Sequence, residues 1–232
     1  GVLRSYRSGQ RRGAVMKTPM IASVLELDRR SVKALKITDP YSLHRVVYSL
    51  FDDVRTDSEK NASVSSGILW ADQGGDFHSR RILLLSDRQP ACAVNQVFGE
   101  VASKLITPDF LEHKNYQFKV IVNPVRRSNA SRKLLPVKGR HDISSWFMDR
   151  AVKSWGFSPS ETNFQVDKVQ VLQFSDKAKR PVTLAQAHLQ GTLKVTDREQ
   201  FKQSFSAGIG RGRAFGCGLL QIVPIMDNPF GQ

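Results

Sequence analysis

Tyr41 and His44 are the residues of this chain whose types and spacing suit chemistry, in the run Asp39-Pro40-Tyr41-Ser42-Leu43-His44-Arg45. Imidazole changes protonation near neutral pH, so it can take or give a proton. A phenol three residues earlier can hold an oxyanion or orient a hydroxyl by hydrogen bonding. Asp39 suits a helix N-cap and Pro40 the first helical position, so both groups fall near the positive end of a helix, a place that attracts phosphate. At about 100° per residue, Leu43, Val46, Val47, Leu50, Phe51 and Val54 make one apolar stripe, and Tyr41, His44 and Tyr48 lie on its flank. The expected chemistry is proton transfer beside an anion. A lone histidine on a helix flank is equally a surface or hydrogen-bonded structural residue; Tyr41, the cap and the basic setting raise His44 above that.

A second stretch of interest is Gly208-Ile209-Gly210-Arg211-Gly212-Arg213-Ala214-Phe215-Gly216-Cys217-Gly218. A dinucleotide fingerprint needs its glycines between a strand and a following helix, whereas these follow a predicted helix and enter a strand; a Walker loop needs a Gly-Lys-Ser/Thr ending that is missing. The glycines permit positive φ and close backbone approach, with Arg211 and Arg213 available to phosphates. The alternative is a flexible connector with solvated arginines. Arg211 to Phe215 matches part of an RNP1 pattern, but with the wrong aromatic spacing and ahead of the strand instead of on it. The segment Ser175-Asp176-Lys177-Ala178-Lys179-Arg180-Pro181 reads as a basic hairpin tip, either a groove-entering element or a solvated turn.

Other chemistries find little support. None of the five histidines pairs at zinc-ligand spacing, and no GxSxG elbow is present. The two cysteines, Cys92 and Cys217, lie far apart and form no CxxC, which fits a reducing compartment. No apolar run approaches the ~20 residues of a membrane span, so a cytoplasmic protein is expected. The 35 Lys+Arg against 21 Asp+Glu leave a net charge of +14 and a pI near 10.1, which favours a polyanion, nucleic acid first.

The elements that must position these groups are read as follows. The basic leader 1–15 is set aside as a leader or a start misassigned ahead of Met16, a basic RNA-contacting arm being the alternative. Met20–Leu27 is a first strand, Arg29–Lys36 a short basic connection, and Pro40 onward the helix just described. Asp57–Ser66 is a loop, and Ile68–Ala71 with Phe77–Leu85 form a hairpin around Gly74-Gly75. Ala91–Leu105 is read as a helix on the spacing of Val94, Val97, Val101 and Leu105. Thr107–Asn115 is a breaker between a unit at 16–110 and another at 114–232. The second unit runs through a strand Tyr116–Val122, a long basic loop Val125–Arg140 with Arg126, Arg127 and Lys138, and a helix from about Asp142 to Trp155 with Asp142 as its cap. Strands Val166–Phe174 and Val182–Val195, a helix Asp197–Ser206 and a closing strand Leu219–Val223 complete it. Element order therefore predicts an α+β protein of two tandem ferredoxin-like (βαββαβ, RRM-like) domains.

Tyr41-Ser42-Leu43-His44, Asn123-Pro124-Val125 with its basic loop, and Gly208-Ile209-Gly210 followed by Gly216-Cys217-Gly218-Leu219-Leu220 resemble the CRISPR RNA-processing endoribonucleases of the type I-E Cascade complex, over about residues 16–225. The resemblance implies two ferredoxin-like domains and a metal-independent, cofactor-free cut at the base of a repeat stem-loop. In that cut the RNA's own 2′-hydroxyl attacks the adjacent phosphate, leaving a 2′,3′-cyclic phosphate and a 5′-hydroxyl. It implies His44 as general acid or base, Tyr41 as holder of the scissile phosphate or orienter of the 2′-hydroxyl, and a protein that keeps its product as a Cascade subunit, monomeric when free. Lys177, Lys179 and Arg180 correspond in place to the family's RNA-inserting hairpin, and Arg211 and Arg213 to its glycine loop. Arg45, Arg126, Arg127 and Lys138 complete the expected RNA contacts. Phenols are poor bases at neutral pH, so the acid–base partner of His44 is unassigned. The alternative from another class is a non-catalytic RNA-binding scaffold of the same fold.

Overall fold

The computed structural model describes residues 19–61, 65–76 and 78–227; the leader 1–15 lies outside them. The chain builds β1 (Ile21–Asp28), α1 (Arg29–Ala34), α2 (Pro40–Tyr48), α3 (Asp57–Asn61), β2 (Ile68–Gly75), β3 (Ser79–Ser86) and β4 (Glu100–Leu105). After a 3₁₀ turn at Pro108–Leu111 come β5 (Asn115–Val122), β6 (Val125–Arg127), β7 (Leu134–Pro136), α4 (Arg140–Arg150), a π-turn at Ala151–Trp155, and β8 (Phe157–Pro159). The chain continues through β9 (Gln165–Ser175), β10 (Pro181–Val195), α5 (Arg198–Ala207), a 3₁₀ turn at Arg213–Phe215 and β11 (Gln221–Pro224).

Apart from the two-stranded β6–β7 pair, the strands form two antiparallel sheets, β2-β3-β1-β4 and β11-β5-β10-β8, with β9 paired to the long β10. In the first sheet β1 lies between β3 and β4 with β2 beyond β3, and in the second β5 lies between β10 and β11 with β8 and β9 beyond β10. The fold is thus two tandem ferredoxin-like units, as element order predicts. β10 is long enough to meet three partners: β5 along one edge, and β9 then β8 along the other. Its N-terminal end extends with β9 past β5 and β8, as a hairpin whose Phe174 and Leu184 pack into the larger core.

Local sequence explains the helix that matters most. The Asp39 carboxylate accepts from the Ser42 backbone N–H at 2.7 Å and the Ser42 hydroxyl accepts from the Asp39 backbone N–H at 3.0 Å, a reciprocal cap behind Pro40. Leu43, Val46, Val47 and Leu50 are buried in a core with Leu25, Leu27, Trp70, Ile82 and Leu84. Each such side chain stabilises the docked helix by about 1.5–3 kcal/mol. The larger core is built on Tyr116, Phe118, Phe147, Phe157 and Phe201, but it also takes in Leu69, Ala71 and Leu85 from the first sheet. Apolar packing therefore fixes one sheet against the other.

Five expectations need correction, the first being the loop 57–66, which opens with the short helix α3. Ala91–Leu105 is not a helix: Asn95 and Gln96 take φ of 51° and 63°, Val94 and Phe98 exchange backbone hydrogen bonds, and the segment ends as edge strand β4. Its helical spacing is coincidental, since Val97 is exposed while Val94 is buried. The connection 29–36 contains helix α1, capped by Asp28. The basic loop 125–140 holds the β6–β7 hairpin. α4 begins at Arg140 behind Gly139, so Asp142 lies in its first turn instead of capping it.

The cysteines sit in opposite environments. Cys92 is exposed, whereas Cys217 is buried and its thiol is pushed up to about 12 by that burial, against a small opposing effect of the Gln186 amide. The thiolate is the reactive form. Native protein should therefore titrate one thiol rapidly with a disulfide reagent and the second only after unfolding. Two fast thiols would contradict the packing of Cys217.

Candidate nucleic-acid cleavage site

Tyr41 and His44 on α2, Asp176, Lys177, Ala178 and Arg180 at the β9–β10 tip, and Ala214 and Phe215 line one open cleft of about 580 Å³. Residues more than 130 positions apart in sequence thus share a site, because β10 reaches across the second sheet to bring its hairpin to α2.

Within it, His44 Nδ1 lies 2.7 Å from the Ala214 carbonyl oxygen. A carbonyl only accepts, so Nδ1 carries a hydrogen and donates it. In the neutral ring Nε2 is then bare and is the nitrogen that can take a proton. The imidazole packs on Tyr48 with ring centroids 4.1 Å apart and on Phe215 at 5.8 Å. Burial holds the His44 pKa below its ordinary 6.5, with the Ala214 hydrogen bond opposing. Since the unfolded chain binds this proton more readily, the neutral ring's contribution to stability is present above 6.5 and is lost as pH falls through 6.5 towards the lower folded value. In RNA-free protein an NMR titration of His44 should have its midpoint below 6.5; a midpoint at or above that value would contradict the desolvated setting.

Tyr41 stacks near His44 at 6.3 Å, and the Arg45 guanidinium lies 5.9 Å from the Tyr41 ring centroid. Arg45 itself is exposed. At the hairpin tip one Asp176 oxygen accepts from the backbone N–H groups of Ala178 and Arg180, both at 2.9 Å, and the other accepts from the Arg180 guanidinium at 2.9 Å. The Arg180 backbone N–H, then its guanidinium, hold the Asp176 carboxyl below the usual range. Arg180 is therefore paired though exposed, and Lys177 and Lys179 beside it are exposed as well. Lys179 sits beyond the residues lining the cleft, at a φ of 58°.

The remaining expected RNA contacts fall elsewhere. Arg126, Arg127 and Arg211 line a second cleft of about 620 Å³, with Asp142, Asp149 and Arg150 on its α4 wall. Lys138, exposed between β7 and α4, lines neither. Arg213 donates to the Ala207 carbonyl at 2.8 Å, closing the end of α5. Gly208, Gly210, Gly212, Gly216 and Gly218 all have positive φ, as a loop needing glycine should. The close approach they permit is to protein: a Cβ on Gly208 would meet Leu69 and one on Gly216 would meet Trp70, both at 2.8 Å.

Sequence reading missed the groups that hold the site together. The Ala214 carbonyl has no signature, being backbone. Phe215 meets Phe174 at 5.0 Å, edge to face, and so ties the glycine loop to the hairpin base. Asp176, four residues before Arg180, was open to an Asx-turn reading. Among the described residues no three His, Cys, Asp or Glu side chains group as metal ligands, and no helix is long and apolar enough to cross a membrane.

Comparison with known proteins follows the same lines. The chain is similar in structure to CRISPR endoribonuclease Cse3 bound to a 19-nucleotide RNA, with a TM-score of 0.73, 20% identity, and coverage of 89% of this chain and 100% of that one. Thermus thermophilus Cse3 bound to an RNA representing a pre-cleavage complex gives 0.71 at 20% identity, covering 89% and 100%. Cas6e from Escherichia coli K-12 gives 0.56 at 16% identity, again covering 89% and 100%. A sequence comparison with curated proteins finds no match. The family model for CRISPR associated protein matches residues 20–224, nearly the whole described chain with its two sheets, its cleft and its glycine loop, and the chain belongs to that family.

Proposed function

We propose that this protein is a metal-independent endoribonuclease that cuts CRISPR repeat stem-loops in precursor RNA and stays bound to the mature guide RNA as a Cascade subunit. The observation that carries the reading is the cleft in which His44, with Nδ1 committed to a carbonyl, meets Tyr41 and the basic hairpin tip. The solved neighbours named as CRISPR endoribonuclease Cse3 with RNA, and as a CRISPR RNA-guided surveillance complex, support it.

The chemistry follows from the tautomer. His44 Nε2, bare in the neutral ring, takes the proton of the 2′-hydroxyl as that oxygen attacks the adjacent phosphorus. The P–O5′ bond breaks, and the protonated imidazole has a proton for the departing 5′-oxygen. No water is consumed, and the products are a 2′,3′-cyclic phosphate and a 5′-hydroxyl. Tyr41 donates a hydrogen bond to a non-bridging phosphate oxygen, and Lys177 supplies positive charge where the phosphorane gathers negative charge. Lys177, Lys179 and Arg180 enter the groove of the stem, while Arg126, Arg127 and Arg211 track its backbone at the second cleft.

The test is incubation of the purified protein with a stem-loop of its own repeat. One cut at the base of the stem is expected, with affinity falling steeply with salt, by a log–log slope of about −0.7 to −0.9 per phosphate contact. Tight binding without any cut would favour the RNA-binding scaffold, and salt-independent binding would mean that the basic clefts face another partner.

A further inference from the structure

The Ala214 carbonyl oxygen accepts from a second donor besides His44: the indole Nε1–H of Trp70, at 3.2 Å. A carbonyl oxygen has two lone pairs and can serve both. Trp70 belongs to β2, is buried in the core that seats α2, and is 2% exposed. Ala214 belongs to a three-residue 3₁₀ turn with a left-handed glycine at each end, Gly212 and Gly216. Such a turn has little rigidity of its own. The indole N–H helps to hold its carbonyl in one direction, beside the Phe215 and Cys217 N–H bonds to the Gly212 carbonyl, and the Trp70 ring also floors the loop where Gly216 comes close.

We propose that Trp70 is a positioning residue for RNA cleavage: through the shared Ala214 carbonyl it fixes the tautomer and ring orientation of His44. A carbonyl held at this point disfavours the tautomer with a bare Nδ1, since two acceptors would then face each other across 2.7 Å. Trp70 comes from the first sheet and Ala214 from the second unit. The proton-transfer state of His44 therefore depends on how the glycine loop seats against the first sheet. The inference rests on the cleavage reading for its kinetic consequence, but not for its tautomer consequence.

The test replaces Trp70 in the full chain by 3-benzothienylalanine, which keeps the bicyclic shape and has sulfur in place of N–H, with Trp70→Phe as a second variant. Single-turnover cleavage of the repeat hairpin should fall about fivefold to tenfold, the worth of one net hydrogen bond, with hairpin affinity unchanged. In RNA-free protein, ¹⁵N NMR of His44 should show a new population protonated at Nε2. A His44 that stays wholly Nδ1–H in the benzothienyl variant overturns the proposal, whatever the rate does, because a slower cut would then come from packing alone. Absence of cleavage by the unmodified protein would instead sink the nuclease reading, while the RNA-free tautomer measurement still decides the role of Trp70.

Discussion

His44→Ala is expected to reduce single-turnover cleavage of the repeat stem-loop by about 10²–10⁴-fold, the range assigned to a positioned acid or base, with hairpin affinity nearly unchanged. The split is the informative part. His44 is half-buried between Tyr48 and Phe215, and its Nδ1 is occupied by the Ala214 carbonyl, so it offers RNA little binding surface but one titrating nitrogen. The basic residues that would grip the phosphates, Arg45 apart, lie on other elements and stay in place. Cleavage by the variant at the unmodified rate would remove His44 from the reaction; equal losses of rate and affinity would make it a binding residue.

Gly216→Ala is expected to be among the damaging glycine-loop substitutions, a Cβ on Gly218 being tighter still at 2.5 Å from the Ile209 carbonyl oxygen. At Gly216 the new Cβ would come within 2.8 Å of the Trp70 ring at a φ of 83°. The left-handed backbone costs about 1–2 kcal/mol for a residue with a side chain, and overpacking a well-filled site about 1–3 kcal/mol more. Denaturant unfolding should therefore show a loss of about 2–5 kcal/mol. Gly210→Ala is the matched control, since its φ of 70° is similar and nothing lies within 4 Å of the new methyl. It should lose only the backbone part, about 1–2 kcal/mol. Cleavage should fall further in the Gly216 variant than in the control, because pushing the loop off Trp70 displaces the carbonyl that His44 donates to. Equal losses of stability at the two positions would contradict the account of the loop as a close-packed seat.

These two sites also show what was legible beforehand. The helix carrying His44 announces itself through Asp39, Pro40 and a helical stripe of Leu43, Val46, Val47 and Leu50, because capping and amphipathic burial are local and periodic. The hairpins, the long β10 and the order of elements are readable for the same reason, and with them the tandem ferredoxin-like fold. Ala91–Leu105 misleads because its valines keep a helical interval while Asn95, Gln96 and Gly99 supply the positive φ of a turn, a conflict resolved only by pairing with β1. The glycine loop was readable as glycine-dependent, but not what the glycines approach. Loops that make room for a phosphate and loops that make room for an indole ring have the same composition. The Ala214 carbonyl was invisible, since every residue has one and only the docking of two sheets selects which one meets His44.

Placement within the site divides along the same line. Tyr41, His44, Lys177 and Arg180 share the cleft as their chemistry suggested, whereas Arg126, Arg127 and Arg211 form a separate group. Net charge favours a polyanion but carries no information on which lysines and arginines meet one phosphate path. That information lies in the reach of β10 and in the packing of Phe174 on Phe215, both long-range.

The proposed reaction in this cleft is attack of the RNA's 2′-hydroxyl, with His44 moving the proton and no metal ion taking part. The most direct measurement is the end chemistry of the products formed from a repeat stem-loop in excess EDTA, read by mass spectrometry. Undiminished cutting is expected, with an upstream fragment ending in a 2′,3′-cyclic phosphate and a 5′-hydroxyl on the downstream fragment. A 5′-phosphate with a 3′-hydroxyl, or loss of cutting in EDTA, would contradict the proposed reaction.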